Sequence, residues 1–129
     1  MSSVSELAAI EGIDKASLDI LLPHIAALPG IDIPVNVNTA TPFVLQSLDD
    51  NISVSDVERL LNERGESGFA NYLDTFNPIA PDAHIDEMTE YFRLKLVVRI
   101  DTVRITYFSI LHRNPQGDVT PILRSLGTT

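Results

Sequence analysis

Between Phe92 and Ile100 the side chains alternate strictly. Phe92, Leu94, Leu96, Val98 and Ile100 fall on one parity, and Arg93, Lys95, Val97 and Arg99 on the other. A period of two over so long a run predicts a β-strand with one apolar face. Asp101-Thr102 makes a tight reversal, after which Val103, Ile105, Tyr107 and Leu111 carry a second strand. Asn114-Pro115-Gln116-Gly117 is a turn, with proline preset for the second position and glycine able to take a positive φ. Val119 to Leu126 reads as a third strand, and Pro121, which has no backbone donor, places it at an edge. The region from about Glu90 onward is therefore an antiparallel meander.

Before residue 77 the period changes to that of helices. Ser3 and Glu6 form a capping-box pattern for a short first helix that Gly12 stops. Asp14 caps a second, whose Leu18, Leu21, Leu22 and Ile25 recur at helical spacing until Pro23 breaks or restarts it. Val35 and Val37 flank Asn36 as a brief extended segment. Asn38 or Thr39 then caps a helix bearing Phe43, Val44 and Leu48, and Pro42 favours Thr39, because proline is tolerated only in the first turn. Ser55 and Glu58 form a capping box for the next helix, with Val57, Leu60 and Leu61 as its buried stripe and Gly65 as its stop. Phe69, Tyr72, Leu73 and Phe76 mark the core face of a last short helix. Helices first and strands afterwards give an α+β fold class. The expected organisation is a helical subdomain at residues 1–76, a proline-containing linker loop at 77–89, and the meander at 90–129. Helices this short do not cover a strand of about 33 Å, so the covering element is expected to be missing or supplied by a partner.

The formal net charge of −9, from eighteen acidic against nine basic residues, disfavours nucleic acid and anionic lipid, both of which are bound largely through Lys and Arg. With no cysteine, disulfides, thiolate nucleophiles and Cys-ligated zinc are excluded. No apolar run approaches the roughly 20 residues of a membrane span. His24, His84 and His112 belong to no ligand-spaced motif, and neither a nucleophile elbow nor a phosphate-binding glycine loop is present. Catalytic and cofactor-binding residues are therefore expected to be none. Asp49-Asp50-Asn51 and the group Asp74, Asp82, Asp86 and Glu87 offer oxygens to a metal, but neither has the spacing of a calcium loop, and both read better as caps and solvated loops.

The segment Val35-Asn36-Val37-Asn38-Thr39-Ala40, followed by two helices, Arg64 and Gly68-Phe69, resembles the helix-hairpin-helix layout of some DNA-binding proteins. In that class the joint between helices holds a phosphate on open amides. Here it reads Asp49-Asp50-Asn51-Ile52-Ser53, with two carboxylates and no glycine. Asn36, Asn38 and Thr39 are expected to be structural pins at the start of a helix rather than contact residues.

Together with Ser3 to Ile13, Leu28-Pro29, Arg113, Gly117 and Leu123-Arg124, this order of segments resembles the K-class minor pseudopilins of the type II (general) secretion pathway. The resemblance implies a helix-hairpin-helix or SAM-like bundle followed by part of a pilin-like sheet. It also implies that the chain is a C-terminal fragment, whose leader, hydrophobic N-terminal helix and first strands lie outside this sequence. The implied role is non-enzymatic: a subunit at the pseudopilus tip, in the periplasm and anchored to the inner membrane by that N-terminal helix. There it would assemble with the I- and J-class minor pseudopilins to initiate or cap the fibre. Calcium is a possible ligand by resemblance, with no ligand set carried over. The alternative is a nucleic-acid-binding module of a DNA-uptake protein.

Overall fold

A computed structural model describes residues 4–127. Ser3, expected as the first cap, lies outside the described residues. The chain divides into two compact units, Met1–Met88 and Thr89–Thr129.

In the first unit, the expected first helix is a 3₁₀ segment, Val4–Ala9. Helix α1 (Lys15–Leu21) is capped by Asp14, whose carboxylate accepts from Ser17 N at 2.7 Å. It buries none of its residues, and Pro23 turns its end into a 3₁₀ turn, Leu22–His24. The remaining helices are α2 (Pro42–Gln46), α3 (Val54–Arg64) and α4 (Tyr72–Phe76). They surround one core of Val37, Leu45, Leu60, Phe69 and Phe76, joined through Leu48, Leu61 and Ile79 to Ile52, Val57 and Ala80. Phe69 precedes α4 instead of lying on it, and it meets Phe76 edge-on with ring centroids 5.3 Å apart. Leu73 is 51% exposed, so the expected aromatic stripe is buried at its two ends only.

Two caps differ from expectation. Thr41, not Asn38 or Thr39, caps α2, its hydroxyl accepting from Val44 N. Only there does proline fall at the first helical position. The capping box of α3 is Ser53 with Asp56, one pair earlier than Ser55 with Glu58. The sequence pattern pointed only to Ser55 with Glu58, since the box pattern asks for Glu or Gln at its fourth position and Asp56 stands there for Ser53. Ser53 wins because its backbone is extended, as a cap requires, whereas Ser55 is already helical.

Residues 77–88 do not form a linker. They fold onto the first unit, where strand β2 (Ile85–Asp86) pairs in parallel with β1 (Val35–Asn36). Val35 N donates to His84 O at 3.0 Å and Val37 N to Asp86 O at 2.9 Å. Two-residue strands paired across so long a stretch of chain leave no periodic trace, which is why the pairing was not legible.

The second unit is the expected meander: β3 (Tyr91–Ile100), β4 (Val103–Arg113) and β5 (Val119–Gly127), in that spatial order. Asp101 takes φ 53° in the two-residue turn between β3 and β4, and Gly117 takes φ 92° in the next. The register between β3 and β4 runs unbroken from Tyr91↔His112 to Ile100↔Val103. Between β4 and β5 it slips at Ile110/Leu111, beside Pro121. The apolar face of β3 is open: Leu96 is 49% exposed and Ile100 63%.

Candidate functional site

The densest polar arrangement lies where β1 runs into α2. Asn36 closes an Asx turn, its side-chain oxygen accepting from Asn38 N at 2.9 Å, while its backbone oxygen accepts from Thr39 N and Ala40 N. Asn38 reaches across the unit. Its side-chain oxygen accepts from Phe69 N at 2.9 Å, and its amide nitrogen points to Glu87 O at 3.5 Å. Arg64, at the end of α3, donates from one nitrogen to Val37 O at 3.1 Å and to Ala40 O at 2.8 Å. These carbonyls belong to a turn between two elements, where no ladder partner exists, and a guanidinium supplies the donors they need.

Gly68 completes the node. Its φ is +87°, and a Cβ there would lie 2.9 Å from Oδ1 of Asn38. Asn36 and Asn38 thus act on backbone amides, whereas the exposed Thr39 makes no side-chain hydrogen bond. Sequence reasoning quoted Arg64, Gly68 and Phe69 as a motif without seeing their common partner in the 36–40 turn. Their separation from it by 24 to 31 residues hides the link.

The histidines are not brought together. His24 Nδ1 lies 2.8 Å from the Thr41 hydroxyl, and its ring meets Phe43 edge-on. His84 sits 3.2 Å from Asp32, and His112 lies 3.5 Å from Glu90 while stacking on Tyr91. A catalytic constellation would need such groups to converge, and these are tied to separate neighbours.

The acidic groups do not form a calcium cage. Asp49 commits one oxygen to the backbone and side chain of Asn51 at 2.8 and 2.9 Å. Asp86 accepts from Glu87 N and Met88 N, and Asp74 pairs with Asn71. Among the described residues no three His, Asp or Glu side chains come together as a metal site would require. Of the carboxylates named from the sequence, those of Asp49, Asp74 and Asp86 are thus engaged with their own neighbours and not gathered at one point.

The joint between α2 and α3 has the same character. Asp49 folds over it in an Asx turn, its backbone oxygen accepting from Ile52 N at 3.1 Å. A phosphate would meet a carboxylate there.

Part of this unit matches a known family model. The family model for type II secretion system protein K matches residues 35–84, the stretch that begins with β1 and ends where His84 O receives Val35 N. Two relatives of that name extend the likeness to most of the chain. The protein from Dickeya chrysanthemi is 28% identical over 92% of this chain and 37% of its own length. That from Pectobacterium carotovorum subsp. carotovorum is 29% identical over 90% and 39%.

This chain is similar to type II secretion system protein K.

It spans about two fifths of the length of those curated relatives. The fold agrees as well. The structure superimposes with a TM-score of 0.79 and 20% identity on a chain of the GspK-GspI-GspJ complex from the enterotoxigenic Escherichia coli type 2 secretion system. That match covers all of this chain and 49% of the other. The α+β reading, short helices followed by an antiparallel meander, is shared with the matched part of that chain. The nucleic-acid alternative finds no support among these relatives.

Proposed function

We propose that this chain is part of a minor pseudopilin at the tip of a type II secretion pseudopilus, where it assembles with I- and J-class minor pseudopilins to initiate or cap the fibre. The observation that carries the reading is the superposition of the whole chain on a subunit from a complex of those three classes. No bond is made or broken in this role, and the node at residues 36–40 serves it by holding the helical unit in one shape. Rigid pinning suits a surface that partners must recognise, since a preorganised surface loses less entropy on binding. The site of action would be the periplasm, with the longer protein anchored in the inner membrane.

The distribution of charge supports a protein-facing role. Fifteen of the eighteen Asp and Glu lie in Met1–Met88, against three of the nine Lys and Arg. Such a unit repels a phosphate backbone.

Copurification tests the proposal. The chain, within its full-length protein, is expected to elute with I- and J-class partners from the same secretion system in gel filtration, and to leave duplex DNA unshifted at low salt. Separate elution at micromolar concentrations, or salt-sensitive DNA binding, would overturn it.

A further inference from the structure

We draw no further inference here: the strongest candidate, the groove lined by Ala26, Ala27, Leu28, Gly30, Ile31 and Ile33 in the loop that leads from the 3₁₀ turn after α1 to β1, carries nothing because nothing in the structure shows what covers it.

Discussion

The side-chain oxygen of Asn38 lies 2.9 Å from the backbone nitrogen of Phe69, and the glycine between that nitrogen and α3 leaves room for no other atom there. This contact ties the turn after β1 to the segment that delivers Phe69 into the core.

Asn38→Ala is expected to strand the N–H of Phe69, whose residue is only 6% exposed, and to cost about 1–3 kcal/mol. Gly68→Ala adds a Cβ against Asn38 at a φ that disfavours side chains, and should cost more than about 1 kcal/mol. Because Asn38→Ala also removes the atom that the new Cβ strikes, the double variant should lose less than the sum of the two. Urea unfolding of the four proteins measures this coupling. Additive losses would show that the two residues act separately.

Thr41→Ala should destabilise by about 0.5–2 kcal/mol, since it removes the acceptor for Val44 N. Thr39→Ala, at an exposed side chain without a hydrogen bond, should stay within about 0.5 kcal/mol of the parent. Thermal unfolding of the pair checks the order, and the reverse order would return the cap to Thr39.

Arg64→Lys is expected to fail nearly as badly as Arg64→Ala. One guanidinium nitrogen serves Val37 O and Ala40 O together, a geometry that a point-like ammonium on a different stem does not reproduce. A loss of about 1.5–3 kcal/mol for alanine follows from two charge-assisted bonds. Full retention of stability in the lysine variant would contradict the role assigned to Arg64.

The Asp56 carboxyl is held below its ordinary value of 3.8 by the hydroxyl of Ser53 and then by the backbone N–H of Ser53. A carboxylate depressed in the folded state stabilises fully above its unfolded pKa, and that contribution fades as pH falls through the folded value. The α3 cap should therefore hold at neutral pH and weaken below about pH 4. In Asp56→Asn the acid limb of the stability curve, followed by unfolding at successive pH values, should be shallower. An unchanged limb would show that the capping carboxylate is not linked to folding.

How much was legible divides along physical lines. Period two over Phe92–Ile100, the reversal at Asp101 and the turn at Asn114–Gly117 are local signals, and all three stand in the structure. So are Asp14 as a cap and Gly65 as a stop. What failed was choice among near-equivalent neighbours, Thr41 over Thr39 and Ser53 over Ser55, because candidate oxygens two residues apart differ only in backbone dihedrals. What was invisible was distant in sequence. The β1–β2 pairing and the grip of Arg64 and Asn38 exist only once the core of Leu45, Leu60 and Phe76 has brought their segments together.

The parallel clasp of β1 on β2 places the first and last residues of the 35–84 segment side by side, with Val35 N bonded to His84 O. A body whose two ends meet can be spliced into a surface loop of an unrelated host at little geometric cost, as inserted domains are. The helical body is by that token a portable cartridge. Residues 35–86 carried on a foreign scaffold should keep their own melting transition.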